Sequence, residues 1–200
     1  MGKLREKWRR DHNGLNFNRR RKKLEFGRLQ GVGIFVIEVA VVAFLAYGII
    51  RCFGMRMSMA GESMEPTIYS GNEVMLDKLI YKLRDPRANE VVVFLPKGSL
   101  NAQTSIKRVI GVPGDRVEIR NGYVYVNGEV FEDRINAENV ENPGLAASEI
   151  VLGEGEYFLL GDNRNNSEDS RYITVGTINR DEIEGKVWWV ASPSNFGLVN

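Results

Sequence analysis

The sequence predicts a mainly β protein, in which an antiparallel β domain follows a single N-terminal transmembrane helix. Residues 31–50 form an almost uninterrupted apolar stretch of the length that a membrane helix requires. Beyond this stretch, apolar and polar residues alternate over short segments, as in strands with one buried face. Asn-Gly pairs at 121–122 and 127–128 lie between such segments, which is typical of tight hairpin turns. A helical pattern is found after the apolar stretch only near 178–183, and it is short.

The apolar stretch from Gly31 to Ile50 contains one charged residue, Glu38. At a rise of 1.5 Å per residue, its twenty residues match a hydrocarbon core of roughly 30 Å. An acidic group at mid-span costs on the order of 3 kcal/mol on insertion scales, which the surrounding apolar side chains can offset. We expect Glu38 to be protonated or to snorkel, with pairing to a partner helix as the alternative. A soluble core helix and a cleaved signal peptide are also weighed, but a signal peptide has a shorter apolar core and a small-x-small cleavage site. The stretch therefore predicts an uncleaved signal-anchor.

Charge is distributed unevenly along the chain. The net charge is +1, yet residues 1–30 hold eleven Lys and Arg against three Asp and Glu. A basic arm alone could indicate nucleic-acid binding, but one that adjoins an apolar stretch is explained by the positive-inside rule, and we expect no nucleic-acid partner. The sequence thus predicts a cytoplasmic arm (1–30), a plasma-membrane anchor (31–50) and an extracytoplasmic β-rich domain (51–200).

The outer domain is predicted from a series of short alternating segments. The first is Phe53–Met59, whose methionines are expected in the core, with contact to the bilayer surface as the alternative. For Trp188, Trp189 and Phe196 the core and the bilayer surface are equally open. The polar stretch 133–150 is predicted to be a surface loop or a small insertion. Further strands are predicted at Glu90–Leu95, Arg116–Arg120, Tyr123–Val126, Val130–Phe131, Glu156–Leu160 and Lys186–Val190.

The residue inventory restricts the chemistry of this outer domain. The single histidine, His12, lies in the basic arm, and the predicted topology places it across the membrane from the β domain. A Ser-His-Asp triad is therefore excluded. Cys52 is the single cysteine, so the chain has no intramolecular disulfide and no Cys/His zinc cluster. Because no ligand spacing indicates a carboxylate metal site, we expect metal-free chemistry without a cofactor.

A candidate nucleophile, Ser63, lies in the stretch GESMEPT at 61–67. Gly61 relaxes the backbone before Ser63 and Pro66 fixes the exit after it, so the serine can be exposed on a turn. A serine hydroxyl needs a group that removes its proton before it becomes a good nucleophile. Taken alone, an ordinary turn serine fits the same residues.

A candidate base, Lys107, lies in the apolar run IKRVI at 106–110. An amine removes a proton only when it is neutral, and burial can lower a lysine pKa from about 10.4 by several units. Strand alternation would direct Lys107 and Val109 to one face and Arg108 to the other, where Arg108 could pair with an acid. A solvated strand lysine is the plainer alternative.

A third polar stretch, GDNRNNSEDSR at 161–171, follows the apolar segment 157–160. Its short polar side chains predict a loop that hydrogen-bonds to itself and to its neighbours and contains Asp-Arg pairs. A calcium loop is the alternative, but the alternating carboxylates and terminal Glu of such loops are missing.

In this order and behind a signal-anchor, the three stretches resemble those of bacterial type I signal peptidases (leader peptidases). The resemblance rests on residues 63–67, 107–115 and 161–171 and extends from the anchor nearly to the end of the chain. It implies a membrane-bound serine endopeptidase that removes signal peptides from exported preproteins and cuts after small residues. It also implies that signal peptides and membrane lipid are partners and that the export translocon is nearby.

The resemblance implies a role for each matched residue. Ser63 would be the nucleophile and Lys107 the general base, with the main-chain N–H of Ser63 donating to the oxyanion. Some family members have a serine two places before the nucleophile, where this chain has Gly61, so a second oxyanion donor would be backbone or water. The implied supporting residues are Ser167 to orient the lysine, Met64 to shield it, and the ion pairs Asp162 with Arg108 and Asp169 with Arg171.

Three other functions remain to be compared with this one. A self-cleaving repressor-type protease uses the same dyad but is soluble, which the anchor argues against. A non-catalytic assembly factor for pili or other surface proteins would not need both Ser63 and Lys107. A dedicated peptidase with one or a few substrates is not separated from a general one by sequence.

Overall fold

The computed structural model describes residues 26–53, 55–96, 103–192 and 195–199. His12 and most of the basic arm lie outside the described residues. The chain divides into two compact units, one that ends at Phe44 and one that spans Leu45–Asn200. The segment boundaries at 30 and 50 stay predictions.

A long helix, α1, spans Phe26–Phe53. Its segment Gln30–Gly48 has a mean hydropathy of 2.2 and is long and apolar enough to cross a membrane. Apolar residues surround this helix on all sides, whereas a surface helix of a globular domain carries them on one face. Helix α1 therefore contains a candidate membrane span. The helix starts a few residues before the predicted anchor and ends a few residues after it.

The part of the chain after α1 is built mainly from short strands. A one-turn helix, α2, covers Ile80–Leu83, and 3-10 turns cover Gly144–Ala147 and Arg180–Glu182. The strands are β1 (Met55–Ser58), β2 (Glu73–Asp77), β3 (Val91–Phe94), β4 (Ser105–Gly111), β5 (Arg116–Arg120), β6 (Tyr123–Val126), β7 (Glu129–Val130), β8 (Ile150–Val151), β9 (Glu156–Leu160), β10 (Ile178–Asn179), β11 (Ile183–Ser192) and β12 (Asn195–Leu198).

Among the described residues, these strands form two antiparallel sheets, as the sequence predicts. The larger has the order β1-β2-β11-β3-β4-β9-β10, with β12 also paired to β11, and the smaller has the order β7-β6-β5-β8. Strand β11 pairs with β2, β3 and β12, and its register shifts between Ile183 and Gly185 and again between Val187 and Trp189. Such bulges bend a strand and increase its twist, which allows one strand to serve several partners.

The hairpin predictions are confirmed. Asn121 and Gly122 have φ of 51° and 81°, and Asn127 and Gly128 have φ of 54° and 85°. Positive φ at both central residues is the signature of a type I′ turn, which Asn-Gly favours. The strands predicted at 116–120, 123–126 and 156–160 have the predicted bounds, and that at 130–131 is displaced by one residue.

Two predictions near strand ends need correction. Helix α1 continues through Phe53, so β1 is shorter than the predicted strand, and Met55 is 43% exposed rather than in the core. Met57 is partly buried against the core and Met59 is buried, as expected. Strand β1 lies at the edge of its sheet, where fewer neighbours cover the side chains.

Residues 178–183 contain β10 and a single 3-10 turn rather than an α-helix. The turn is closed by a capping box, in which the Asn179 side chain and the Glu182 side chain each bind the other's backbone. The predicted helical element is thus a single 3-10 turn.

The aromatic residues Trp188 and Trp189 are half-buried, and Phe196 is 72% exposed. The rings of Trp189 and Phe196 meet edge-on, with centroids 4.9 Å apart. None of the three is fully buried in the core.

Candidate active site

Ser63 lies in a turn whose neighbouring apolar side chains are buried in the hydrophobic core. Gly61 has φ of +83°, a conformation that glycine adopts without strain. Met64 and Ile68 are completely buried, and the Ile68 N–H donates to the Met64 carbonyl at 2.9 Å. Because these two side chains anchor the turn, the neighbouring Ser63 is fixed in position while remaining half-exposed.

Lys107 reaches Ser63 from strand β4. Its Nζ atom lies 2.7 Å from Ser63 Oγ, within hydrogen-bond distance. The residue is only 5% exposed and pairs with Val92 of β3 across the sheet. The lysine chain is therefore enclosed by the sheet, and its amine is presented to one hydroxyl.

The surroundings of Lys107 favour its neutral form. Burial lowers the pKa of the Lys107 amine, because an ammonium loses hydration inside the protein. The carboxylates of Asp169, Glu168 and Asp162 act in the opposite direction, and Arg171 lowers the pKa again. Burial is the largest of these effects, so the pKa of Lys107 lies below its ordinary value.

Arg108 and Asp162 form a buried ion pair beside the turn, as predicted. Arg108 Nε and Nη2 donate to the two oxygens of Asp162 at 2.8 and 2.7 Å, and both side chains are completely buried. The Thr67 hydroxyl donates to the same carboxylate at 2.5 Å. A bidentate pair is geometrically specific, so it fixes the Ser63 turn to β4 and to the loop after β9.

Asp169 and Arg171 form the second predicted pair, and both are buried. Arg171 Nε and Nη2 donate to Asp169 at 2.8 and 2.9 Å. Asp169 also accepts from the Gly161 N–H at 3.1 Å, and Arg171 donates to the Asn142 carbonyl. This network closes the polar loop 161–171 onto the end of β9.

Ser167 does not make the hydrogen bond that we expected with Lys107. Its Oγ is buried and has no hydrogen-bond partner among the described residues. It lies against Gly161, where an added Cβ would clash with the Ser167 side chain and come within 2.5 Å of the Ser63 carbonyl oxygen. Only glycine fits at position 161, and the role of Ser167 in orienting the lysine stays a prediction.

Two asparagines of the same loop donate hydrogen bonds to the turn that carries Ser63, and neither was assigned a role from the sequence. The Asn163 N–H donates to the Ser63 carbonyl at 3.1 Å and its side-chain amide donates to the Glu62 carbonyl at 3.2 Å. The Asn166 amide donates to the Glu62 carboxylate at 3.1 Å. The sequence signal was the density of short polar residues, which predicts bonding to neighbours but not which neighbour.

A small cleft opens at the two candidate catalytic groups. Its volume is about 80 Å³, and it is lined by Met57, Met59 and Ala60 on one side and by residues 103–107 on the other, with Ser63 between them. Within the described part of the chain, no group of His, Cys, Asp and Glu side chains could hold a metal ion. What the geometry offers is a hydroxyl nucleophile beside a buried amine base.

A family model described as "Signal peptidase, peptidase S26" matches residues 33–191. This chain belongs to that family. It is therefore a serine peptidase, and the predicted family and enzyme class are confirmed.

Two similar bacterial proteins agree with this membership, and a solved structure is also similar in sequence. A probable signal peptidase I-2 from Synechocystis is 35% identical over 154 residues, which cover 75% of this chain and 68% of that protein. Signal peptidase IB of Staphylococcus aureus is 32% identical over 168 residues, which cover 76% of this chain and 85% of that protein. A solved signal peptidase I from Enterococcus faecalis is 30% identical and covers 52% of this chain and 97% of its own, with a TM-score of 0.41.

Proposed function

We propose that this S26 family member is a membrane-anchored endopeptidase that removes signal peptides from exported preproteins, using Ser63 as nucleophile and Lys107 as base. Family membership supports the removal of signal peptides. The observation that carries the mechanism is the 2.7 Å distance between Ser63 Oγ and Lys107 Nζ, together with the burial of the lysine. The apolar helix α1 supports anchoring.

In the acylation step, the neutral amine of Lys107 accepts the Ser63 hydroxyl proton as Oγ attacks the scissile carbonyl carbon. The main-chain N–H of Ser63 donates to the oxyanion of the tetrahedral intermediate. The Lys107 ammonium then gives its proton to the leaving amine, and the C–N bond breaks. The mature protein departs with a free N-terminus and the signal peptide remains as an ester of Ser63.

Deacylation repeats the sequence with water as the nucleophile. Neutral Lys107 takes a proton from the water, which attacks the ester carbonyl, and the same proton returns to Ser63 Oγ as the C–O bond breaks. The signal peptide leaves as a carboxylate. In this proposal the completely buried Met64 shields the lysine, while the Asp162–Arg108 and Asp169–Arg171 pairs hold the polar loop and the Ser63 turn beside it.

The cleft at Ser63 suits the end of a signal peptide. It lies between β1, an edge strand, and the start of β4, so an extended peptide can add main-chain hydrogen bonds there. The cleft is small, with a volume of about 80 Å³, which suits small side chains. We therefore expect cleavage after small residues, with alanine preferred at the first and third positions before the cut.

The test is cleavage of a preprotein with an Ala-x-Ala site by the detergent-solubilised full chain. Ser63→Ala and Lys107→Ala should each lower kcat/KM by a factor on the order of 10⁴ or more, because the two groups act as a unit. Ser148→Ala and Lys82→Ala change exposed residues of the same types and should retain wild-type activity. Circular dichroism of each variant verifies that it is folded.

A folded Lys107→Ala variant that cuts at the wild-type rate would refute the dyad. A folded wild-type protein that cuts none of several preproteins would refute a general role. In that case a panel of pilin and surface-protein precursors separates a dedicated peptidase, which cuts one of them, from an assembly factor, which cuts none.

A further inference from the structure

A cavity that shares no residue with the cleft at Ser63 has a positively charged lining. Its volume is about 150 Å³, and it is bounded by the turn 87–91 and by Arg134, Lys186 and Val199. Three of the lining side chains are cationic, those of Arg87, Arg134 and Lys186. The one acid among the described lining residues is Glu90.

The charge of Glu90 is already compensated. Arg84 donates to both carboxylate oxygens at 3.0 and 2.6 Å, and the Tyr81 hydroxyl and the Arg87 N–H donate to Oε2 at 3.1 and 3.0 Å. Lys186 Nζ lies 3.0 Å from Oε1. Burial alone would raise the pKa of Glu90, but the hydrogen bonds from Arg84 and Lys186 lower it to about 2. Glu90 is thus a neutralised, fully bonded anion that leaves the cavity with excess positive charge.

The cationic groups of the cavity keep unused donors. An ammonium has three N–H donors, and Lys186 directs one of them to Glu90. Within the described part of the chain, neither the Arg87 nor the Arg134 guanidinium makes a hydrogen bond or an ion pair. The Arg134 backbone is fixed, because its N–H donates to the Asn89 side chain at 3.3 Å. The cavity therefore offers two guanidinium groups without matching acceptors and an ammonium with donors to spare, on a backbone that is held at Arg87 and at Arg134.

We propose that this cavity binds an oxyanion of the phosphate class, held by Arg87, Arg134 and Lys186. Two guanidinium groups and an ammonium line the same cavity, and together they carry enough N–H donors for a tetrahedral group with several oxygens. A metal cation is repelled by the same lining. The anion is either free phosphate or the phosphate of a lipid headgroup, since both present the same chemistry.

The anion site is connected to the candidate active site through the backbone of the turn 87–90. The Asn89 carbonyl accepts from Arg108 Nη1 at 2.8 Å, and Arg108 in turn holds Asp162. An anion that fixes this turn also restrains the Arg108 side chain. We therefore expect the ligand to stabilise the folded domain, whether or not it changes the rate of cleavage.

The probe is inorganic phosphate, added to the detergent-solubilised full chain while the thermal unfolding midpoint is recorded. Binding to the folded state alone should raise Tm by about 3–6 °C at ten times the dissociation constant. The double variant Arg87→Gln/Arg134→Gln should lose this shift, and its exposed positions leave the fold intact. Arg116→Gln, which changes an exposed arginine of the smaller sheet, should keep it. Sodium chloride at the same ionic strength controls for screening.

A double variant that shifts as much as the wild type would overturn the site, as would a shift that sodium chloride reproduces. Neither result touches the dyad, because no readout here depends on cleavage. The source of the anion is then read by competition with short-chain phosphatidylglycerol, using short-chain phosphatidylcholine as a control. If phosphatidylglycerol gives its full Tm shift at a lower concentration than phosphate does, the ligand is a lipid headgroup. If phosphatidylglycerol does not compete with phosphate for the site, the ligand is free phosphate.

Discussion

In the proposed mechanism, Lys107 must be buried enough to lose its proton and must still reach the hydroxyl of Ser63. The chain meets both needs by placing the lysine in β4 with its stem enclosed and its amine at the edge of a cleft. Lys107 was predicted as the candidate base because it lies in an apolar run, where burial can lower its pKa. Its distance to Ser63 could not be predicted, because the pairing of residues 44 positions apart depends on the whole sheet.

Cleavage should depend on pH through the amine of Lys107. In the proposed mechanism Lys107 is a base only when neutral, so kcat/KM should fall as the pH drops below the pKa of its amine. Burial lowers this pKa, so activity extends to a lower pH than an ordinary lysine would permit. The nearby Glu168 carboxylate raises the pKa, and Glu168→Gln should therefore shift the acid limb of the profile to lower pH.

Glu168 is a suitable residue for this test because it is exposed and its described hydrogen bond, from the Thr174 hydroxyl, can also be accepted by glutamine. Glu129→Gln on the smaller sheet removes the same charge from a residue that is not among those that shift the pKa of Lys107, and it should leave the profile unchanged. A shift of the acid limb to higher pH in Glu168→Gln, or equal shifts in both variants, would contradict the assignment of Lys107 as the titrating base.

At the scale of elements, the active-site walls are joined by buried ion pairs rather than by apolar packing alone. Arg108 on β4 binds Asp162 after β9, and Thr67 of the Ser63 turn donates to the same carboxylate. A buried pair of this kind is weak evidence for stability as a whole, but breaking it leaves a charge without its counterion. The pair therefore specifies the arrangement of three elements.

Asp162→Asn tests this directly. Loss of the carboxylate leaves the completely buried Arg108 guanidinium uncompensated, and we expect the free energy of unfolding to fall by about 3–5 kcal/mol. Glu149→Gln removes the acid of an exposed pair with Arg116 and should cost at most about 1 kcal/mol. Urea unfolding of both variants measures the difference. Similar small losses would show that the Asp162–Arg108 pair does not hold the site.

Elements that depend on their own residues were predictable from the sequence. Elements that depend on pairing with a strand far away in the chain were not. The hairpins at Asn121 and Asn127 follow from two residues that tolerate positive φ. By contrast, β2, β8, β10 and β12 were missed, and three of them are only two to four residues long. Such strands exist because a partner strand supplies their hydrogen bonds, which no local pattern encodes.

The same distinction applies to the candidate site. Ser63, Lys107 and the two Asp-Arg pairs were named from their motifs, and the structure brings all of them together. The bonds from Asn163 to the nucleophile turn were not foreseen, because a loop rich in asparagine has many alternative partners. Ser167 was named, but its expected bond to the lysine is not made.

Over its full length, the chain changes composition twice, and these changes are easier to predict from the sequence than any single strand. A basic arm, an apolar helix and an acidic remainder follow one another, and the helix lies where the composition places it. Composition acts over many residues and is insensitive to packing, so it predicts a long apolar helix without knowledge of the fold. It does not predict the strand order of the domain that follows.

The proposed anchor also predicts a direction for the chain across the membrane. Eleven basic residues among the first thirty should keep the N-terminus in the cytoplasm, which places residues 51–200 outside. Cys52 is the chain's single cysteine, so Cys52→Ser gives a background for site-specific labelling. In that background, Ser148→Cys should react with a membrane-impermeant maleimide in intact cells, and Asn13→Cys should react only after permeabilisation. The opposite pattern would place the dyad in the cytoplasm, out of reach of an exported preprotein, and the proposed function would fail with it.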